Sequence, residues 1–271
     1  MHTVSKTLYI PLYGKALVSR KGIILQDPWA EKIWSAAGFP LKGKSASKWL
    51  AYYMGIRAAV FDAWVAQQMA SCSGALVLHI GCGLDSRAQR VASPETDWYD
   101  VDFPEVICQR ERFYARMDRY HMIGADTREA DWLQQIPGNR TALVVMEGVS
   151  MYFRPEELRL LLARLSGHFA EVRLLMDCYT VLAARASRYK NPIRDVGVTQ
   201  VWGLDDPRDA SEGTGLVFLR EWDMIPARLA QQLEGMERSI FRTIFAGGLA
   251  KRLYRLYEYR SENCAAPENG K

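Results

Sequence analysis

From Ala75 onward, short apolar runs alternate with segments of helical periodicity. Each run has the length of a strand. The predicted strands are ALVLHI from Ala75, DWYDVDF from Asp97, RYHMIGAD from Arg119, TALVVMEG from Thr141 and EVRLLMDCY from Glu171. Because strands alternate with helices, the pattern predicts a doubly wound, mostly parallel α/β sheet with right-handed crossovers. The continuous apolar character of the strands predicts burial on both faces.

The flanking regions differ from this alternating core. Residues 1–70 are helical in pattern, with Asp27 placed to cap a helix that begins at Pro28 and stops at Gly38. Residues 185–214 form a long, mixed insertion, which is typical of a lid or substrate loop. A helix from Pro226 and two further strands, at 216–222 and 251–259, are predicted to complete the core. Residues 261–271 form a polar tail that we expect to fray.

Composition excludes several classes of protein. The 271 residues are 49% hydrophobic and carry a net charge of +4. No apolar run reaches the length of a membrane span and the first residues lack a signal segment, so we expect a cytoplasmic protein that does not enter membranes. The basic run from Lys251 to Arg260 alternates with apolar residues, which predicts a strand with one solvated face and no nucleic-acid partner. Five scattered cysteines and four histidines without ligand spacing predict reduced thiols and no metal site.

The first predicted strand ends in a glycine turn, GCGLDS, that leads into a helix. Gly81 and Gly83 remove side chains where a ligand approaches the backbone, and the start of the following helix offers free N–H groups. Asp102 ends the next strand, 21 residues after Gly81, which is the expected spacing for a carboxylate that binds ribose hydroxyls. The sequence therefore predicts a nucleoside-containing cofactor at this turn.

Two residues of the turn distinguish between cofactors. Ser86 stands where a dinucleotide fingerprint has its third glycine, and Asp85 would repel a pyrophosphate. An aspartate instead suits a cofactor with a cationic end. S-adenosylmethionine has an adenosine, an ammonium and a sulfonium, and it carries no phosphate. We therefore predict S-adenosylmethionine, with a nicotinamide-dependent oxidoreductase and a non-catalytic binding module as the alternatives.

Four motifs in a fixed order extend the argument beyond the glycine turn: LVLHIGCGLDSRAQRV, DWYDVDFPEVI, GADTREADW and VVMEGVSMYF. Together they resemble the leucine carboxyl methyltransferase family, including its bacterial branch of polyketide-type O-methyltransferases (the tetracenomycin-pathway kind). The segments LYGKALVSRKGIILQDPWAEKI and WGLDDPRD are similar to that branch in particular. The resemblance covers the chain from Leu8 to Tyr259.

The resemblance implies a fold and a division of the chain. The fold is a class I methyltransferase, with a seven-stranded sheet, an N-terminal helical cap and a lid insertion. Residues 1–70 would form the cap, and residues 71–184 with 215–260 would form the core that binds S-adenosylmethionine. Residues 185–214 would form the lid or substrate insertion, followed by the tail at 261–271.

The resemblance also implies the residues of the site. The cofactor contacts are Lys15, Arg57, Gly81, Gly83, Asp102, Asp126, Thr127 and Glu147, to which the charge argument adds Asp85. Arg57 would bind the methionine carboxylate of the cofactor, and Asp100 rivals Asp102 for the ribose. Thr127 departs from the family, which has an apolar residue there and so gives the adenine ring more hydrophobic contact. The tyrosine of the motif after the fourth strand corresponds to Tyr152.

The cofactor that the resemblance implies carries an activated methyl group, so the protein needs few catalytic groups. Methyl transfer from a sulfonium is an in-line displacement, for which the protein supplies alignment and a dry pocket. A carboxylate acceptor is already ionised and needs only a clamp; the candidates by residue type are Tyr152, Arg57, Arg87 and Arg173. A phenol acceptor needs a base; the candidates are His79, His121 and His168. Since no histidine falls in a family motif, we predict methylation of a small-molecule acid, with a phenol hydroxyl or a protein C-terminal carboxylate as alternatives.

Overall fold

A single seven-stranded sheet forms the centre of the molecule. This computed structural model describes residues 8–38, 41, 43–187, 200–245, 247–248 and 252–262. The strands are β1 (Leu76–Ile80), β2 (Trp98–Asp102), β3 (Tyr120–Gly124), β4 (Thr141–Met146), β5 (Glu171–Tyr179), β6 (Leu216–Glu221) and β7 (Tyr254–Ser261). Their order in the sheet is β3-β2-β1-β4-β5-β7-β6. Strands β1 to β5 are parallel, whereas β7 is antiparallel to both of its neighbours. The predicted doubly wound, mostly parallel α/β sheet is confirmed.

Helices cover both faces of this sheet. They are α1 (Tyr9–Arg20), α2 (Pro28–Ala37), α3 (Lys48–Ser71), α4 (Arg87–Val91), α5 (Pro104–Arg110), α6 (Pro155–His168), α7 (Val181–Ser187), α8 (Pro207–Ser211), α9 (Ala227–Ala230) and α10 (Gly235–Phe245). Helix α1 packs on α2 and α3, and these three helices are called the cap below. Within the described residues, we find no helix with the length and apolar character needed to cross a bilayer.

The ends of α2 follow directly from its sequence. The Ala30 amide donates to the Asp27 carboxylate at 2.8 Å, which satisfies one of the free amides at the start of the helix. Pro28 occupies the first helical position. Gly38 ends the helix in the left-handed region at φ +59°. The predicted cap and stop are confirmed at the residue level.

The core lies on both sides of the sheet because successive side chains of each strand point to opposite faces. In β1, Leu76, Leu78 and Ile80 belong to the cluster beneath α6. Val77 belongs to the opposite cluster, which includes the cap helices. All five residues of β1 are buried, as predicted for a parallel strand covered on both faces.

The last strand differs from its prediction. The alternating run from Lys251 to Arg260 predicts a solvated face, but Leu256, Tyr257, Glu258 and Tyr259 are all buried. The prediction was wrong because both faces of β7 are covered. Glu258 accepts hydrogen bonds from Trp64 and Gln68 of α3 on one face, and Tyr257 and Tyr259 belong to the core cluster on the other.

Two helices are also shorter than their sequence patterns suggest. The helical pattern of PEVICQRERFYARM extends past Arg110, but α5 ends there. Arg110 is fully buried, and its guanidinium donates to the Gly83 carbonyl at 3.0 Å and to Asp100. The helix predicted from Pro226 is divided into α9 and α10, and α10 begins at Gly235, which has a positive φ of 46°.

The predicted lid insertion is described only in part. Residues 188–199 and the tail beyond residue 262 lie outside the described residues. Within the remainder, Gly203 forms a bridge with Tyr179 of β5. Helix α8 packs on α6 and β6. The assignment of the insertion as a lid stays a prediction.

The carboxylate of Glu258 joins β7 to helix α3 of the cap through hydrogen bonds. It accepts hydrogen bonds from Trp64 Nε1 (3.0 Å) and Gln68 Nε2 (3.3 Å) of α3. It also accepts from Arg220 Nε and Trp222 Nε1, both at 2.7 Å. Replacing Glu258 with alanine leaves these donors without their acceptor, so we expect the free energy of unfolding to fall by about 3 kcal/mol. Chemical denaturation measures this change.

The matched control is Glu221 on the neighbouring strand. Its ion pair with Arg255, at 2.7 Å, involves side chains that are 42% and 31% exposed. Exposed pairs contribute little, so Glu221→Ala should lower the free energy of unfolding by less than about 1 kcal/mol. Equal losses in the two glutamate variants would contradict the role given to Glu258.

Candidate active site

A cavity of about 530 Å³ lies at the carboxyl ends of the central strands, beneath the cap. This is the edge at which open α/β sheets bind their ligands, and the volume suits a small molecule. The residues predicted to bind the cofactor all line it, namely Lys15, Arg57, Gly81, Gly83, Asp85, Asp102, Asp126, Thr127 and Glu147. Tyr152, the other candidate catalytic residue, lines it as well.

The glycine turn after β1 requires its glycines. Gly81 and Gly83 have φ values of +67° and +52°, in the left-handed region that other residues rarely adopt. A Cβ atom on Gly81 would also lie 2.6 Å from Val149 Cγ2. The turn therefore brings bare main chain to the wall of the cavity, as the sequence predicts.

Asp102 lies beside this turn at the end of β2. Its carboxylate accepts hydrogen bonds from the Gly83 amide (2.8 Å) and the Phe103 amide (2.7 Å). Each carboxylate oxygen has a second lone pair, so both can still accept from a ligand hydroxyl. Burial raises the pKa of Asp102 to about 6, although the two amides oppose this rise.

Asp100, the rival for the ribose, occupies a different environment. It is fully buried and does not line the cavity. Its carboxylate accepts from Trp98 Nε1 at 2.8 Å, from the Tyr120 hydroxyl at 2.6 Å and from Arg110. These bonds link β2 to β3 and α5 inside the protein. The geometry therefore favours Asp102 over Asp100 as the residue that contacts a ligand.

A buried network of charges joins the cap to the glycine turn. Lys15 of α1 donates to Asp85 at 2.8 Å, and both residues are buried. Arg90 of α4 lies 3.0 Å from the same aspartate. It also donates to Asp27 of α2 at 2.6 Å and to Asp62 of α3 at 2.7 Å. Each ion is thus paired, which is the condition for burying charge without a large penalty.

Arg57 and Glu147 extend this network to the end of β4. Arg57 Nε donates to Glu147 at 3.0 Å, and Arg87 donates to the other oxygen of that carboxylate. Burial disfavours the ionised carboxylate, but Arg87, Arg57 and Lys15 outweigh this effect and lower the pKa of Glu147 to about 2. Glu147 is therefore a permanent anion at the wall of the cavity.

Asp126 and Thr127 lie after β3 on another side of the cavity. The Arg128 side chain bonds the Asp126 carboxylate and lowers its pKa. The Arg128 amide donates to the same carboxylate at 3.0 Å. Asp126 is half-buried and Thr127 is buried, and both line the cavity.

Much of the remaining wall of the cavity is apolar or aromatic, and most of it was not anticipated from the sequence. Its lining includes Tyr53, Tyr179, Phe245, Leu253 and Tyr254. The Tyr254 ring lies edge-on to Tyr179, with 5.0 Å between centroids. One signal was available, since Tyr179 ends a strand at the same edge of the sheet as the other site residues.

Of the other candidates by residue type, His79 lines the cavity, whereas Arg87, Arg173, His121 and His168 do not. Arg173 bonds Glu171 and Gln68, at 2.9 and 3.0 Å. His121 stacks on Tyr99, and His168 bonds the Ile136 carbonyl. Arg87 is fully buried behind Glu147 and does not line the cavity.

The strand order and the cavity at the carboxyl ends of the central strands define the class I methyltransferase fold. The structure is similar to magnesium protoporphyrin IX methyltransferase from Synechocystis PCC 6803 with bound SAH, at a TM-score of 0.50 and 14% identity. That comparison covers 95% of this chain and 99% of the other. At this identity the likeness supports the fold.

The sequence gives the family. The leucine carboxyl methyltransferase model matches residues 8–166, and the chain belongs to that family. It is 34% identical to tetracenomycin polyketide synthesis O-methyltransferase TcmP of Streptomyces glaucescens, over 87% of this chain and 88% of that protein. It is 27% identical to S-adenosyl-L-methionine-dependent methyltransferase dpfgK of Gibberella zeae, over 75% and 76% of the two chains. The chain is therefore an S-adenosylmethionine-dependent methyltransferase, and the predicted family and cofactor are confirmed.

Proposed function

We propose that this enzyme transfers a methyl group to a carboxylate of a small molecule and so forms a methyl ester. The cofactor and the class of reaction follow from the family. The nature of the acceptor rests on the chemistry of the groups that face the cavity.

The residues of the cavity fit S-adenosylmethionine. Gly81 and Gly83 line the cavity with main chain that a ligand can contact, and Asp102 would bind the ribose hydroxyls. Asp126 and Thr127 would contact the adenine side. The cofactor, when bound, supplies an electrophilic methyl group on a cationic sulfur.

The opposite end of the site suits the charged methionine part. Arg57 Nη2 makes no hydrogen bond to the described residues, whereas Nε and Nη1 are both engaged. It is therefore available to a carboxylate, and Lys15 adds positive charge nearby. Asp85 and Glu147 are anions that would favour the ammonium and the sulfonium.

The observation that carries the choice of acceptor is the state of His79. Of the three described histidines, only His79 lines the cavity. Its Nε2 faces Arg87 Nη1 at 3.2 Å and so acts as an acceptor, which leaves the proton on Nδ1, 3.4 Å from Asp100. Burial lowers the pKa of His79. A ring held in this way is poorly placed to deprotonate a phenol, so an acceptor that is already ionised is favoured.

The apolar half of the cavity supports a small organic acid as the acceptor. Its aromatic walls exclude water from the reacting atoms and bind an apolar skeleton. Tyr152 lines the same cavity and is the candidate residue for contact with the carboxylate of the acceptor, since Arg57 is taken by the cofactor. The relative from Streptomyces glaucescens is an O-methyltransferase of polyketide synthesis, which agrees with such an acceptor.

The test compares matched skeletons. The enzyme is incubated with S-adenosylmethionine labelled in its methyl group and either a fused-ring aromatic acid or the corresponding phenol, such as 1-naphthoic acid and 1-naphthol. We expect label in the acid, and we expect mild alkali to release it as methanol because methyl esters hydrolyse and methyl ethers do not. A peptide with a free C-terminal leucine serves as the third acceptor. Alkali-stable label in the phenol, or transfer to the peptide alone, would contradict the proposal.

A further inference from the structure

Arg57 is held by two residues that lie beyond the family match at residues 8–166. Its Nη1 donates to Asp177 at the end of β5 (3.0 Å) and to the Tyr254 hydroxyl at the start of β7 (2.9 Å). Tyr254 in turn donates to the same Asp177 oxygen at 2.7 Å. The three groups therefore form a closed triangle of hydrogen bonds, in which Arg57 and Asp177 are 4% and 0% exposed.

The second oxygen of Asp177 fixes the main chain beside Arg57. It accepts the Gly148 amide at 2.6 Å. Gly148 has a φ of +70°, and a Cβ atom there would lie 3.1 Å from both terminal nitrogens of Arg57. Asp177 thus sets the distance between the turn after β4 and the guanidinium.

These contacts leave one edge of the guanidinium for a ligand. Glu147 takes Nε, and Asp177 and Tyr254 take Nη1, so Nη2 is the remaining donor. An arginine side chain has considerable rotamer freedom, and fixing it before a ligand arrives removes part of the entropic cost of binding.

Tyr254 also spans the two halves of the cavity. Its hydroxyl belongs to the triangle, while its ring lies edge-on to Tyr53 at 6.0 Å and to Tyr179 at 5.0 Å, among the apolar walls. Removing only the hydroxyl therefore separates the two roles, because the ring packing is kept.

We propose that Asp177 and Tyr254 are positioning residues that hold Arg57 for the methionine carboxylate of the cofactor. The inference rests on the role given to Arg57 in the proposed function. It requires that loss of the triangle impairs binding of the methionine part and spares binding of the adenosine part.

The experiment compares two ligands that share the adenosine part. Calorimetry measures the affinity for S-adenosylmethionine and for 5′-methylthioadenosine, which lacks the amino and carboxylate groups. We expect Tyr254→Phe and Asp177→Asn to weaken S-adenosylmethionine binding about tenfold. Binding of 5′-methylthioadenosine should change less than about twofold. In Asp177→Asn the amide oxygen can still accept from the Gly148 amide, whereas the NH₂ group then faces Arg57 and cannot accept its hydrogen bond.

The matched control is Tyr259→Phe on the same strand. It removes a hydroxyl that donates to the Pro207 carbonyl at 2.9 Å, away from the cavity, so both affinities should be unchanged. If the Tyr254 and Asp177 variants lose affinity equally for both ligands, the two residues have a merely structural role and the inference is overturned. Unchanged affinity for S-adenosylmethionine would overturn it as well.

A third variant, Arg57→Lys, tests the positioning role of Asp177 and Tyr254 separately from the role of Arg57 itself. If Arg57→Lys leaves the affinity for S-adenosylmethionine unchanged, the role of Arg57 fails and the inference fails with it. If Arg57→Lys weakens only S-adenosylmethionine while Tyr254→Phe and Asp177→Asn do not, the positioning role alone fails. The methyl-ester assay decides the acceptor independently of all these variants.

Discussion

Replacing Arg87 with methionine should lower the free energy of unfolding by about 3–5 kcal/mol, because breaking a buried ion pair leaves unbalanced charge. Arg87 is fully buried and donates to Asp62 at 2.7 Å and to Glu147. Its guanidinium also lies over the Phe61 ring, 5.4 Å from the centroid. Methionine retains most of the volume, so the loss reports the charge and not a cavity. Denaturant titration measures it.

The dependence of this loss on pH provides a second check. The pKa of Glu147 is held at about 2, below its usual value, so its stabilising contribution is present above the unfolded pKa of 4.5 and is lost as the pH falls toward 2. Without Arg87, ionised Glu147 contributes less to the free energy of unfolding. The difference in free energy of unfolding between wild type and Arg87→Met should therefore be largest near pH 7 and smaller at about pH 3.

The control for Arg87 is an exposed arginine. Arg116 pairs with Glu111, with side chains that are 64% and 39% exposed. Arg116→Met should change the free energy of unfolding by less than about 1 kcal/mol. If Arg87→Met also lowers the free energy of unfolding by less than about 1 kcal/mol, the buried network does not hold the cap on the core.

Replacing Asp102 with alanine should weaken S-adenosylmethionine binding more than tenfold, since a charged hydrogen-bond acceptor contributes about 1.5–3 kcal/mol. The carboxylate is fixed by the Gly83 and Phe103 amides and lines the cavity beside the glycine turn. Isothermal calorimetry measures the affinity. Asp97, just before the same strand, bonds Arg140 and does not line the cavity, so Asp97→Ala is the control and should bind normally.

Asp102 also predicts how binding depends on pH. Its pKa is raised to about 6, so in the free protein its contribution to stability is greatest below the unfolded value of 3.8 and is lost as the pH rises through about 6. The ionised form is the better acceptor for ribose hydroxyls. Affinity should therefore fall as the pH drops from about 7 to 5, and Asp102→Asn should flatten that profile. A steep profile in Asp102→Asn would assign the titration to another group.

The sequence predicted the parts of the site that depend on neighbours in the chain. Gly81, Asp102 and Glu147 each follow an apolar run directly, and the carboxyl ends of parallel strands meet at one edge of the sheet. Their convergence on one cavity therefore follows from local patterns. The caps of α2 are local features of the same kind.

The parts that were missed depend on pairing between distant segments. Nothing local in the run from Lys251 to Arg260 indicates that β7 lies between β5 and β6, and its alternating charges suggested an exposed face instead. Asp177 and Tyr254 therefore could not be joined to Arg57 from the sequence. The aromatic half of the cavity was missed for the same reason, because Tyr53 and Tyr254 meet only when the sheet is complete.

The position of β7 has a consequence for biosynthesis. Strand β6 leaves the ribosome before β7, yet its only partner in the described sheet is β7. A nascent chain that ends before residue 254 therefore carries an unpaired β6 and an open edge on β5, which invite association with other chains. The same chain lacks the Tyr254 hydroxyl beside Arg57. If the positioning role holds, a chain without β7 binds S-adenosylmethionine more weakly than a chain in which β7 has entered the sheet.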